Sequence, residues 1–81
     1  MKAIVHVSLK PGVLDPQGKA VADTLGRLGY DEVRDARMAK TIELDLEGDL
    51  NHDQAKARVA EMCEALLANT VIERYAIELE D

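Results

Sequence analysis

Between residues 9 and 21, LKPGVLDPQGKAV, the chain has to leave one kind of regular structure and enter another. Before it, KAIVHVSL alternates and is rich in β-branched residues, which predicts a strand over about residues 2 to 10. Ala3, Val5, Val7 and Leu9 share one face of that strand, and Ile4, His6 and Ser8 the other. Pro11 and Gly12 end it. Asp15 carries a short carboxylate suited to capping a helix, and Pro16 then falls at the first helical position, where its missing N–H is not needed. A helix is expected over about residues 16 to 28. Val21, Leu25 and Leu28 recur at i, i+4 and i+7 and make one stripe. Gly29 is the residue to end it in the left-handed conformation.

The same stretch holds two glycines, Gly12 and Gly18, with Lys19 after the second, and so invites comparison with a phosphate-cradling loop. The comparison fails three times. A Walker loop has four residues between its glycines, and here there are five. Ala20 stands where the Mg²⁺-binding hydroxyl belongs, and Pro16 removes an amide from the middle of the cradle. A strand-to-helix turn accounts for all of these residues.

Further along, DEVRDARMAKTIELDLEG reads as two strands, a short charged arm over Glu32 to Arg37 and a second arm, joined by a tight connection near Met38 to Lys40. On the second arm Ile42, Leu44 and Leu46 point one way and Thr41, Glu43, Asp45 and Glu47 the other. Charge on the first arm suits a sheet edge. GDLNHDQAKARVAEMCEALLAN predicts a second helix, opened by a capping-box pair, Asn51 and Gln54. Its apolar stripe is Ala55, Val59, Met62, Cys63, Leu66 and Leu67, and Asn69 is expected to end it in the left-handed conformation. TVIERYAIELED, with Val71, Tyr75, Ile77 and Leu79 alternating, gives a last strand. The order strand, helix, strand, strand, helix, strand, with right-handed crossovers, predicts an α+β, ferredoxin-like βαββαβ domain over residues 1 to 81. Its four-stranded antiparallel sheet would carry both helices on one face. The open face would then present Ile4, His6, Ser8, Thr41, Glu43, Asp45, Ile72, Arg74 and Ala76. It mixes apolar and charged groups, so it is either solvated or set against another sheet.

Composition narrows the function. Sixteen acidic residues against ten Lys and Arg give a net charge of −6, which disfavours a nucleic-acid partner. With no Trp or Phe and two Tyr, the open face lacks the aromatics that stack bases. No apolar run approaches the ~18 residues of a membrane span, one cysteine allows no internal disulfide, and a cytoplasmic location is expected. A chain this short buries only about 60–65% of its unfolded surface. Self-association as a dimer or larger is therefore expected, with Ile4, His6, Ile72, Arg74 and Ala76 of the open face as its contact residues.

No catalytic constellation is evident. His6 lies on a strand and His52 at a helix start, with no third ligand at metal spacing. Cys63 lies on a helix's apolar stripe, where cysteine is ordinarily a small core hydrophobe. No nucleophile–base pair stands out. Neither a catalytic residue, nor a cofactor bound by this chain, nor a metal is expected, and the residues describe a binding or assembly module.

LKPGVLDPQGKAV, LGYDEVRDARMAKTIELDL and CEALLANTVIERYAIELE resemble, nearly end to end and with spacing kept, the PurS family of small subunits of phosphoribosylformylglycinamidine (FGAM) synthase. The matching positions include Leu14, Asp15, Pro16, Gln17, Gly18, Leu28, Gly29, Arg37, Lys40, Cys63, Leu66, Leu67, Ala68, Asn69, Val71, Ile72 and Glu73. Ala39 stands where the family has glycine, and Thr70 where it has proline. The resemblance implies a non-catalytic part in purine biosynthesis. The complex converts formylglycinamide ribonucleotide, glutamine and ATP to the amidine, glutamate, ADP and phosphate. The resemblance further implies two partners, the PurL amidation subunit, which uses ATP and Mg²⁺, and the PurQ glutaminase subunit, which releases ammonia. The small subunit holds them together and supports ammonia transfer. The motif also implies a partner interface at Lys10, Pro11, Gly12, Leu14, Asp15, Pro16, Gln17, Gly18, Arg37 and Lys40. Two other readings of such a fold are a small-molecule-binding regulatory domain and a freestanding enzyme using His6 as base.

Overall fold

Alternation at the N-terminus becomes strand β1, Lys2–Leu9, in a computed structural model that describes all 81 residues. Ala3, Val5 and Val7 are buried along one face, and His6 is exposed on the other. β1 is the middle strand of a three-stranded sheet of order β2-β1-β3, with β2 at Ala39–Asp45 and β3 at Glu73–Glu80, both antiparallel to it. Register sets apolar rows across the three strands. Val5 lies between Ile42 and Ile77, and Ala3 between Leu44 and Leu79. The small residues of β1 leave room for a helix above the centre of the sheet.

That helix is α2, His52–Met62. Its capping box forms: the Gln54 N–H donates to the Asn51 side chain at 2.8 Å, and the Asn51 N–H donates to the Gln54 side chain at 3.0 Å. Ala55, Val59 and Cys63 are wholly buried and complete the core with Ala3, Val5, Val7 and Ala68. Because β2 and β3 both run antiparallel to β1, they are parallel to each other, and α2 joins them across β1 as a split βαβ unit.

α2 runs into a π-helical turn, Cys63–Leu67, where the Ala68 N–H reaches back five residues to the Cys63 carbonyl at 3.0 Å. The wider turn rotates the side chains after it. The expected apolar stripe therefore holds at Ala55, Val59 and Cys63, but Leu66 leaves it for solvent. Asn69 does not turn left-handed; no residue but glycine has positive φ. Instead its side chain accepts from the Val71 N–H at 3.2 Å, and its own N–H donates to Glu73 at 2.6 Å.

Helix α1, Pro16–Arg27, ends as expected. Gly29 has φ +100, and the N–H groups of Gly29 and Tyr30 donate to the carbonyls of Gly26 and Leu25, which is the Schellman arrangement. No helix in the chain is long and apolar enough to cross a membrane.

Four expectations of the arrangement are overturned. The sheet has three strands, so the four-stranded ferredoxin-like sandwich does not form; the α+β class stands. Glu32 to Arg37 is irregular, because its neighbourhood finds non-sheet partners. The Val33 N–H donates to the Tyr30 carbonyl, the Ala36 N–H to the Asp35 carboxylate, and the Met38 N–H to Asp15. The tight turn near Met38 to Lys40 is absent too, since Ala39 and Lys40 already belong to β2. Nor do both helices cover one face: α1 packs extensively against neither the sheet nor α2.

Since Val59 is fully buried and Leu66 is not, their truncations should separate. Val59→Ala removes buried methyl groups and should lower unfolding free energy by roughly 2–3 kcal/mol. Leu66→Ala should change it by less than about 0.5 kcal/mol. Urea unfolding of both variants measures the difference.

Candidate functional site

β1 ends, and β2 and β3 begin, at the same end of the sheet, so three connecting segments meet there. They are tied to one another by name. The Lys10 N–H donates to the Ile72 carbonyl at 2.8 Å, and Lys10 Nζ donates to the Thr70 carbonyl at 2.7 Å. Arg37 donates through Nη1 to the Val13 carbonyl at 2.9 Å and through Nη2 to the Lys10 carbonyl at 3.3 Å. Asp15 accepts from the Gly18 N–H at 2.9 Å with Oδ1 and from the Met38 N–H at 2.6 Å with Oδ2.

Asp15 is the centre of this junction. It is 6% exposed and is the one charged side chain in the buried set. As the cap of α1 it was legible in the sequence, but its second bond, to Met38, was not. Backbone donation from Gly18 and then Met38, with the Arg37 guanidinium nearby, holds its carboxyl below the ordinary 3.8 against the opposing effect of burial. Gly18 is buried because the segment before β2 lies directly on it. A Cβ there would collide with the Ala36 carbonyl oxygen and stand 2.8 Å from the Ala36 carbonyl carbon. Glycine at this position serves close approach, as it does elsewhere where backbones meet.

Of the residues expected at a partner interface, Lys10, Asp15, Gly18 and Arg37 are the ties of the junction, while Pro11, Gly12, Leu14, Pro16 and Gln17 are its exposed surface. Gly12 makes the turn with φ +86. Lys40 stands opposite Val7. An open cavity of about 340 Å³ lies between the junction and the sheet, lined among others by Val7, Asp15, Gln17, Met38, Lys40 and Glu73. Apolar residues surround this end, and of them the sequence reading placed only Leu14 at an interface. Leu14 is 73%, Leu66 83% and Val71 81% exposed. Leu66 and Val71 had been assigned by periodicity to a buried stripe and a strand, and only the π-helical turn and the late start of β3 release them.

The open face is a different environment. Ile4, His6, Arg74 and Ala76 do share it, but Ile72 lies in the turn before β3 and not on the face. His6 faces Glu78 at 3.2 Å, Lys2 faces Glu43 at 3.9 Å, and Arg74 reaches the Ser8 hydroxyl at 3.4 Å. Cys63 is part of the core, and burial followed by the Glu64 carboxylate pushes its thiol upward.

The description PurS, phosphoribosylformylglycinamidine (FGAM) synthase, matches residues 2–81. The chain belongs to the PurS family. It is 52% identical over 81 residues to the phosphoribosylformylglycinamidine synthase subunit PurS of Bacillus subtilis, covering 99% of this chain and 93% of that one. Its fold is similar to the solved PurS of Methanocaldococcus jannaschii, described as one of the subunits of formylglycinamide ribonucleotide amidotransferase in the purine biosynthetic pathway. The TM-score is 0.89 at 40% identity, over 99% of this chain and 95% of that chain. It is also similar to a chain in the structure of PurLQS from Thermotoga maritima, with a TM-score of 0.84 at 31% identity, over 95% of this chain and 93% of that chain. The resemblance read from the sequence is thereby confirmed, and the α+β PurS architecture is the frame in which the junction sits.

The Asp15 carboxyl is lower in the folded chain than when unfolded, so its ionised form stabilises the fold above its ordinary value of 3.8, and that contribution disappears as pH falls through the lower folded value. Asp15→Asn keeps one acceptor but can turn an NH₂ toward the Met38 N–H. It should melt several degrees below the parent from neutral pH down to about 5, with the gap closing below about pH 4. Thermal melts of both proteins across that range check it.

Proposed function

We propose that this chain is the non-catalytic component that holds the PurL amidation subunit and the PurQ glutaminase subunit of FGAM synthase together and supports ammonia transfer between them. In this reading ATP and Mg²⁺ act on the amidation subunit, and the chain works in the cytoplasm as a homo-oligomer. The observation that carries the reading is the full-length likeness to a chain of PurLQS from Thermotoga maritima, whose name joins L, Q and S components in one structure.

The junction supplies a physical basis for docking. Its loops are fixed by Asp15, Arg37 and Lys10 before any partner arrives, so little ordering remains to oppose binding. Leu14, Leu66 and Val71 are large apolar groups left in water at that end, beside exposed Gln17 and Pro11, and burying them against a partner is favourable. Self-association is supported by how little the chain buries alone: nine of 81 residues.

Reconstitution with the amidation and glutaminase subunits tests the reading. Leu14→Glu and Val71→Glu place charges on exposed positions and should leave the strand and helix spectrum and the melting temperature nearly unchanged. They should lower glutamine-dependent amidine formation by tenfold or more, while ammonia-dependent turnover falls less, because ammonia supplied from solution does not pass through the glutaminase. Full glutamine-dependent activity with both variants, or with the small chain left out, would refute the docking role.

A further inference from the structure

Charge is spread unevenly along the sheet. Four of the ten Lys and Arg, namely Lys10, Arg37, Lys40 and Arg74, stand at the end where the loops converge, and all four are exposed. None of them takes part in an ion pair of this chain. Three are held by neutral groups instead: Lys10 by the Thr70 carbonyl, Arg37 by the carbonyls of Val13 and Lys10, and Arg74 by the Ser8 hydroxyl at 3.4 Å. Two carboxylates share this end. Asp15 gives its oxygens to the Gly18 and Met38 N–H groups, and Glu73 accepts from the Asn69 N–H. Arg34 and Asp35, in the segment before β2, offset each other. Four positive charges against two negative leave the junction positive in a chain of net charge −6. The other end of the sheet has the opposite sign. Asp45 and Glu80 stand on either side of Lys2, and Glu43 and Glu78 on either side of Ile4. An eight-residue strand separates the two ends by about 26 Å, beyond the roughly 8 Å over which exposed charges interact at physiological salt, so each end presents its own sign.

We infer that, given the docking role proposed above, the junction is a basic surface that receives an acidic surface of a larger subunit, with Leu14 and Val71 as apolar anchors between the charges. Three observations favour a protein surface over a small anion. Leu14 and Val71 are 73% and 81% exposed beside these cations, and only another protein buries them, since a hydrated phosphate does not. The paired N–H donors with which an arginine grips a phosphate are directed in Arg37 at two carbonyls of its own chain. The cations stand on three separate segments around an exposed end, after β1, before and within β2, and at the start of β3, and so present a field over an area. Holding Lys10 and Arg37 to backbone carbonyls fixes their charges before contact, which lowers the ordering that binding must oppose. The acidic far end completes the arrangement. It repels an acidic partner that approaches the wrong way round, so encounter is selected for the junction.

The test uses the full chain with both larger subunits, and reads the concentration of chain that half-saturates glutamine-dependent turnover. Lys40→Glu and Arg74→Glu should each raise that concentration about tenfold, whereas Lys56→Glu, the same charge change on α2, should leave it within about twofold of the parent. For the parent the concentration should rise with potassium chloride. A zero-length carbodiimide, which joins a lysine amine to a carboxylate in contact with it, should link Lys10 or Lys40 of the parent to Asp or Glu of a larger subunit. Charge reversals that assemble like the parent, or links confined to lysines away from the junction, overturn the acidic partner surface. If Leu14→Glu still weakens assembly in that case, the docking role stands without it. Phosphate that weakens assembly far more than chloride at equal ionic strength marks a small-anion site and overturns the inference as well. Turnover that does not depend on the chain at all removes the docking role and the inference together. If either reversed variant does not fold, the cross-links of the parent still decide.

Discussion

One carboxylate determines the layout of this chain. Asp15 caps α1 with one oxygen and holds the Met38 N–H with the other. The first bond fixes where the helix begins, and the second fixes where β2 begins, because Ala39 is the next residue. Together they pin the two ends of a 29-residue excursion to the same end of the sheet. The excursion leaves β1 and returns beside it, so β1 and β2 become antiparallel neighbours. A backbone N–H given to a side chain is not available to a sheet ladder, and Glu32 to Arg37, tethered at its end in this way, does not add a fourth strand.

Much of this was legible from local signals. Both helix caps, the glycine that ends α1, the apolar face of β1 and the burial of Cys63 follow from residue chemistry that acts within a few positions. What misled was the step from elements to arrangement. The preference for right-handed crossovers governs parallel strands, and once Glu32 to Arg37 is not a strand there is no such pair for α1 to connect. Likewise, Val21, Leu25 and Leu28 announce that α1 wants apolar company, but periodicity does not say whose. Leu66 was misplaced for a simpler reason: a 3.6-residue repeat was carried through Cys63–Leu67, where the helix widens.

The candidate site divides in the same way. Asp15, Gly18 and Arg37 were picked out by resemblance to the PurS family, yet the residues alone explained only the capping role of Asp15. The bonds from Met38 and from Arg37 to Val13 span 23 and 24 residues. Pairings that distant leave no trace in spacing or composition. Lys10 was read as the last residue of a strand, and its two bonds to the segment before β3 appear only when the strand order is known. Exposed Val71 became visible only with the start of β3 at Glu73.

α1 projects from the end of the sheet where the loops converge, and Asp15 fixes both: its bond to Gly18 orients the helix, and its bond to Met38 closes the junction. A buried carboxylate between two backbone N–H donors is a stiff pivot, since moving either segment strands an ionised oxygen without a partner. The surface proposed to meet the larger subunits is therefore shaped before they arrive, through one rigid corner and not through a mobile element.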